Sequence, residues 1–290
     1  MKRPVLAFAM ILILSGCQAA DKTEASSAAE QGAKSDSSLP ALTDALTCLS
    51  GSSPIIALHR GRDKGKDQAE NALQTLKTAY GDGFIMAEID VAQTKDGTLF
   101  LFHDGVWEEK TTGKGVVAAA SADYLDKVIL KTPRGKLTSY RPSLLKDVLD
   151  WSKDRIYLEI DFKSSANERD AVELIQSSNM GDQVVLISYN DRQAQRLSKL
   201  APGMMISTSN PNARSKSPQL AWLGTDGISN REMDYVTSPD MFTTYGQFSA
   251  RKNLPENWRK IDILVTDYPS ELRGKLGQNQ TDRARLESCD

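Results

Sequence analysis

Residues 84–104 read FIMAEIDVAQTKDGTLFLFHD, two segments on either side of a tight turn. Thr94, Lys95, Asp96 and Gly97 form the turn signal, with Asp-Gly at its centre. Before the turn, Met86, Glu88, Asp90 and Ala92 share one face of a strand, and Ala87, Ile89 and Val91 share the other. After it, Leu99, Leu101 and His103 fall on one face, Phe100 and Phe102 on the opposite one. The pattern predicts a β-hairpin with two acids side by side on its first strand and a His at the end of its second. Carboxylates two apart on a strand converge on one point and suit a hard cation such as Mg²⁺ or Ca²⁺. A neighbouring His moves a proton near neutral pH. An isolated Glu-x-Asp is more often a solvated acidic face, so the rest of the chain has to decide.

The chain has 290 residues, 40% apolar and 26% charged, with a net charge of −2. This is the composition of a globular protein without the basic surface that nucleic-acid binding needs. Residues 1–17 read as a targeting segment. Lys2 and Arg3 precede an apolar core at 5–14 that is too short to span a bilayer, and Leu14-Ser15-Gly16-Cys17 resembles a bacterial lipobox. Cys17 is therefore the expected lipidation site. Gln18 after it, in place of Asp, favours the outer membrane, with the protein on the periplasmic side. Residues 18–39 are rich in Ala, Ser, Lys and Glu and lack aromatics, so they read as a flexible tether. A folded domain is expected over 40–290.

Residues 53–61, SPIIALHRG, open that domain with a short apolar run suited to a buried parallel strand. The chain has two histidines, His59 and His103, and each ends an expected strand. Arg60 suits a phosphate, because guanidinium is a planar fork of donors. Gly61 suits a close backbone turn beside a ligand.

HRG, then Glu70-Asn71, then AEIDVAQTKDG and FHD, form an ordered series that resembles the glycerophosphodiester phosphodiesterase family. Residues 111–116 (TTGKGV), 142–149 (PSLLKDVL) and 265–269 (VTDYP) extend the resemblance over most of the domain. The resemblance implies a (β/α)8 TIM barrel, hydrolysis of glycerophosphodiesters to glycerol 3-phosphate and an alcohol, and one divalent cation, Mg²⁺ or Ca²⁺. Apolar or alternating segments at 55–61, 84–94, 99–104, 155–163, 184–190, 204–208 and 262–267 agree with a barrel. Residues 227–230 and 241–245 compete for the seventh strand. The family carries a Trp there; Trp222 and Trp258 lie in unsuitable contexts, leaving Phe242 or Tyr245 as substitutes. The segment 105–140 is an insertion after the third strand, expected over the site, with Lys110 in place of the family's Arg.

In such a barrel the site lies at the C-terminal ends of the strands. The fourth expected strand, RIYLEIDFK at 155–163, then turns Glu159, Asp161 and Lys163 inward, which is costly unless a cation or partners compensate them. Aligning the family's Glu-x-Lys on Lys163 makes Asp161 the metal ligand beside Glu88 and Asp90, with Glu159 one layer deeper or a further neighbour of the metal; the other alignment makes Glu159 the ligand. By resemblance, His59 and His103 are the acid/base pair and Arg60 and Lys163 the phosphate contacts. Cys48 and Cys289 bracket the domain, and export to an oxidising compartment predicts a disulfide between them. A phospholipase of the same barrel type, or a non-catalytic phosphodiester-binding lipoprotein, are the rival readings.

The lipobox generates a direct test. Cys17→Ala should move the protein from the detergent phase to the aqueous phase in detergent partitioning of cell envelopes. Unchanged partitioning would contradict lipidation at Cys17.

Overall fold

The structure, a computed structural model, describes residues 38–211, 217–225, 241–249 and 253–289. The targeting segment, Cys17 and tether residues 18–37 lie outside them. The strands are β1 (Ile55–Leu58), β2 (Met86–Gln93), β3 (Leu99–Leu101), β4 (Tyr157–Phe162), β5 (Val184–Ile187), β6 (Met205–Thr208), β7 (Gln219–Thr225), β8 (Phe242–Gly246) and β9 (Ile263–Thr266). All but β3 close into an eight-stranded parallel ring in the order β1-β2-β4-β5-β6-β7-β8-β9, with β9 returning to β1. The helices among the described residues are α1 (Leu42–Leu49), α2 (Leu73–Gly81), α3 (Ala122–Leu125), α4 (Leu145–Ser152), α5 (Glu168–Ser177), α6 (Asp191–Leu200), α7 (Pro269–Leu276) and α8 (Asp282–Glu287).

The alternation along each strand sorts its side chains into two cores. Ala87, Ile89, Leu158, Ile160 and Leu186 point outward and pack between the ring and helices α2, α4 and α5, which contribute Leu76, Val148 and Ile175. Met86, Tyr157, Val185, Met205, Leu220 and Ile263 point inward and fill the lower half of the ring. Helix α1 closes that end: Leu42, Ala45, Leu46 and Leu49 belong to the same interior core, and the Tyr157 hydroxyl donates to the carbonyl of Pro40 at 2.8 Å. The ring is therefore a filled barrel with a closed floor, open only where the strands end.

The hairpin forms as its sequence predicts. Val91, Ala92 and Gln93 pair antiparallel with Leu101, Phe100 and Leu99, and Gly97 takes a φ of +91° in the turn. Its second strand, however, is not the third stave of the barrel. β3 lies outside the ring on the edge of β2, so RIYLEIDFK supplies the third stave rather than the fourth, and the insertion follows an accessory strand. The missing stave is β7, which the sequence reading passed over because Leu220 and Trp222 face the interior while Ala221 and Leu223 face the helices, leaving no polar alternation to read. β8 takes the seventh place, at one of the two competing positions; residues 227–230 lie outside the described residues.

The insertion 105–140 builds a small core of its own on the outer face of the hairpin. Trp107 is fully buried against Phe100 and Phe102, at ring-centroid distances of 5.7 and 4.7 Å, with Val117, Leu125, Val128 and Leu130 around them. Asp67 ties it down by accepting from the Thr132 hydroxyl and the Arg134 backbone, both at 3.0 Å.

Cys48, at the end of α1, is disulfide-bonded to Cys289, just past α8, with a Cα–Cα distance of 6.0 Å and a sequence separation of 241. The bond pins the last helix to the closed floor. Chain entropy for so long a loop places its contribution near the upper end of about 2–4 kcal/mol. Reduction should therefore lower Tm by on the order of 10 °C for a domain of this size, measured by calorimetry with and without reductant. An unchanged Tm would contradict a stabilising role.

Candidate active site

A cavity of about 310 Å³ opens where the strands end, and His59, Glu88, Asp90, His103, Glu159, Asp161 and Lys163 all line it. Its polar wall comes from β2 and β4, which run in register: Glu88 lies beside Glu159 and Asp90 beside Asp161. Glu88, Asp90 and Asp161, all buried, bring carboxylate oxygens within 4.8 Å of one another. Glu159 lies outside this cluster, level with Glu88 and one layer deeper than Asp90 and Asp161. The rest of the lining is mostly apolar or aromatic, from Ile187, Tyr189, Trp222, Phe248 and Val265, with Ser188, Ser207 and Ser209 among them. Trp222 is thus a lining residue, contrary to expectation. Tyr245 packs between ring and helices, and Phe242 packs against the interior core.

The charges on the polar wall set one another. Burial and the neighbouring Asp90 push the Glu88 carboxyl well above its usual range, against the Arg60 backbone N–H that donates to its Oε2 at 2.8 Å. Burial opposes ionisation of Asp90 too, but the Lys163 ammonium and His103 outweigh it and hold Asp90 below its usual value. Lys163 Nζ lies 2.6 Å from Asp90 Oδ1 and 2.7 Å from Asp161 Oδ2. Tyr189 donates its hydroxyl to the same Asp161 oxygen at 2.5 Å, while Asp161 Oδ1 is buried without a partner. Burial alone raises the Glu159 carboxyl to about 8, and its Oε1 also has no partner.

The Glu70-Asn71 pair fixes two of these groups. Asn71, in a left-handed conformation with a φ of +53°, donates from Nδ2 to Asp90 Oδ2 at 2.7 Å and accepts from the Asp90 backbone at 2.9 Å. Glu70 holds Arg60 and Arg62, each at 3.1 Å, and Lys110 of the insertion comes within 3.8 Å of it. Arg60 is itself left-handed, with a φ of +55°, which aims its backbone N–H at Glu88. Its guanidinium lies against Glu70 and 3.7 Å from Asp90, and it is not among the cavity-lining residues. Gly61 also departs from expectation. Its φ is +66°, and an added Cβ would meet Leu76 at 2.7 Å, so the close approach is to helix α2 rather than to a ligand. No residue of the insertion lines the cavity among the described residues.

Both histidines are backed by carboxylates, Asp104 of the FHD segment and Asp267 of VTDYP, to which the sequence alone attaches no role. His59 Nδ1 lies 2.9 Å from Asp267 Oδ1, just past β9, and His103 Nδ1 lies 2.6 Å from Asp104 Oδ1. Burial works against ionisation of Asp267, yet the hydrogen bond and charge of His59 bring it down to about 2. An ionised carboxylate only accepts, so Nδ1 of His59 carries the proton and Nε2 is the nitrogen left for chemistry, 3.8 Å from Glu88 Oε2. The His59 ring also packs on Phe248, at a centroid distance of 4.5 Å.

The chain is 28% identical over 159 residues to a glycerophosphodiester phosphodiesterase of Caldanaerobacter subterraneus, a match covering 52% of this chain and 65% of that protein. It is 26% identical over 162 residues to a probable glycerophosphodiester phosphodiesterase of Mycobacterium tuberculosis, covering 56% of each. The matches thus span less than two thirds of these curated relatives. Among solved structures, a glycerophosphoryl diester phosphodiesterase from Parabacteroides distasonis aligns with a TM-score of 0.71 at 20% identity, over 86% of this chain and 97% of that one. An Oleispira antarctica phosphodiesterase in complex with the product sn-glycerol-3-phosphate aligns with a TM-score of 0.59 at 15% identity, over 78% and 97%. The glycerophosphoryl diester phosphodiesterase family matches residues 59–255, well over half of the sequence and from the first histidine past the last lining aromatic, and the chain belongs to that family.

Proposed function

We propose that the protein hydrolyses glycerophosphodiesters to glycerol 3-phosphate and an alcohol, using one divalent cation and the two histidines. The observation that carries this reading is the convergence of three buried carboxylates and two carboxylate-backed imidazoles on one small cavity. A binding module needs no such imidazole pair. A cavity of about 310 Å³ with a charged wall suits a small polar diester better than an intact lipid.

The residues fit a hard cation. Glu88, Asp90 and Asp161 offer oxygen donors, and Asp161 Oδ1 is buried with its valence unused. Burial drives Glu88 upward and repulsion from Asp90 adds to it, and that repulsion is what a divalent charge would relieve. Glu88, Asp90 and Asp161 would hold the ion, Mg²⁺ or Ca²⁺, which supplies Lewis-acid stabilisation of the phosphate charge when bound. Lys163 adds a cationic contact on the cavity side. Arg60, turned to Glu70 beside Asp90, adds positive charge from behind the wall.

The histidines carry the protons. One ring takes the proton of the attacking hydroxyl as its oxygen bonds to phosphorus. The other gives a proton to the alcohol oxygen as its P–O bond breaks, and water then opens the cyclic phosphate that the glycerol hydroxyl's attack has formed, giving glycerol 3-phosphate. Asp267 and Asp104 orient the rings and stabilise their protonated forms, so each can serve either half of the exchange. The apolar part of the lining limits water in the cavity and strengthens the interactions inside it.

The lipobox and the Cys48–Cys289 bond support a setting in the oxidising bacterial envelope, anchored through Cys17 to the outer membrane.

Activity on a simple glycerophosphodiester should disappear with chelator and return with Mg²⁺ or Ca²⁺; full turnover by metal-free protein would sink the proposal. In metal titrations, Asp161→Asn should weaken binding more than Glu159→Gln, and the reverse ranking would make Glu159 the ligand. His59→Ala and His103→Ala should each lower kcat by about 10²- to 10⁴-fold. Their double variant should be far less than additive, because both rings serve one transition state. A near-normal rate in either single variant would exclude that ring from the acid/base pair.

A further inference from the structure

The lower level of the cavity, where Glu88 and Glu159 stand side by side, ends at a floor. Under it the ring is filled by Tyr157, Met205, Leu220 and Ile263, all nearly inaccessible. Glu159 stands at this lower level. It is 2% exposed, shares the inward face of β4 with Asp161, and lines the cavity with an Oε1 that no group of the protein satisfies. A buried polar atom left unpaired costs on the order of 1–3 kcal/mol. An apolar side chain here would avoid that cost, since the ring below is apolar. A carboxyl is useful at the bottom of a dead-end cavity only toward something that enters it.

Resting on the phosphodiesterase reading above, we propose that Glu159 is a specificity-determining residue that hydrogen-bonds the terminal hydroxyl of the substrate's glycerol and so selects glycerol esters over phosphodiesters of other small alcohols.

The dimensions support this assignment. Two residues along a strand span about 7 Å, which separates the Glu159 level from the Asp90–Asp161 level where Lys163 awaits the phosphate. A three-carbon chain with bonds of about 1.5 Å carries its far hydroxyl about 5 Å from the ester oxygen, most of the way across that separation. A shorter alcohol falls short of the carboxyl, and a bulkier one meets the floor. Ser207 lies on the neighbouring wall, and Trp222 and Val265 offer apolar surface to the glycerol carbons. The variable alcohol must then leave by the mouth, where the cavity shares Lys163, Tyr189 and Ser209 with an open polar groove of about 920 Å³. Glu159 can play its part in either protonation state, because a carboxylate accepts from a hydroxyl and a carboxylic acid both accepts and donates.

The test compares two p-nitrophenyl phosphodiesters, one of glycerol and one of 1,2-propanediol, which lacks only the terminal hydroxyl. Sites built to bond a substrate hydroxyl discriminate strongly against its loss. The wild type should prefer the glycerol ester by at least about 10²-fold in kcat/KM. Glu159→Leu, which removes the unpaired group without leaving a polar void, should bring the preference to within about 3-fold, through a fall on the glycerol ester. Glu159→Gln keeps an acceptor and should retain an intermediate preference. Metal affinity by calorimetric titration with Mg²⁺ should stay at the wild-type value in both variants. An active wild type whose preference survives in Glu159→Leu, or a loss of Mg²⁺ affinity in Glu159→Gln, overturns the inference alone. If Glu159→Leu does not fold, the preference and Mg²⁺ affinity of Glu159→Gln decide. A wild type that hydrolyses neither ester overturns the phosphodiesterase reading, and the inference with it.

Discussion

Four carboxyl groups, Glu88 and Asp90 on β2 and Glu159 and Asp161 on β4, stand in register on neighbouring strands inside a ring whose lower half is filled with apolar side chains. Such an arrangement is unfavourable by itself, because burial and like charge both oppose ionisation. Much of the surrounding structure answers it. Asn71 and the Arg60 backbone N–H bind the carboxylates directly, Lys163 bridges two of them, and Tyr189 caps a third contact on Asp161. The left-handed conformations of Arg60 and Asn71 cost on the order of 1–3 kcal/mol each. They persist because they aim hydrogen bonds at these acids.

A second tier of ionic contacts sits behind the first. Glu70 gathers Arg60, Arg62 and Lys110, and Asp267 gathers His59, Arg62 and Lys64. Arg62, 4% exposed, joins the two clusters and thereby links the loop after β1 to the end of β9. The site is thus held by groups from the first and last staves of the ring, which the closure of the barrel brings together. At the opposite face, α1 and the Cys48–Cys289 bond hold the same first and last units. Closure secures the floor and the mouth by separate means, one covalent and apolar, the other ionic.

Much of this was legible in the sequence. The hairpin declared itself through a period of two and an Asp-Gly turn, and the buried staves β1, β5, β6 and β9 through short apolar runs. Glu88, Asp90, His59, His103, Asp161 and Lys163 all reached the cavity foreseen for them. The errors have physical causes. β3 was counted as a stave because a flanking antiparallel strand and a barrel strand share one alternation. β7 was passed over because both of its faces are buried, and Trp222 went with it. The capture of Arg60 by Glu70 depends on a loop conformation that spacing does not encode. Asp104 could have been found from its adjacency to His103, and Asp267 from its place at the end of the last stave.

The central claim is that this carboxylate wall and its histidines cleave a glycerophosphodiester on the alcohol side of phosphorus. The most direct test is ³¹P NMR of the products formed from glycerophosphocholine in the presence of Mg²⁺ or Ca²⁺. The account predicts a glycerol 3-phosphate resonance growing as the diester signal falls, with free choline in equal amount. Phosphocholine and glycerol as products, or an unchanged diester signal with metal present, would contradict it.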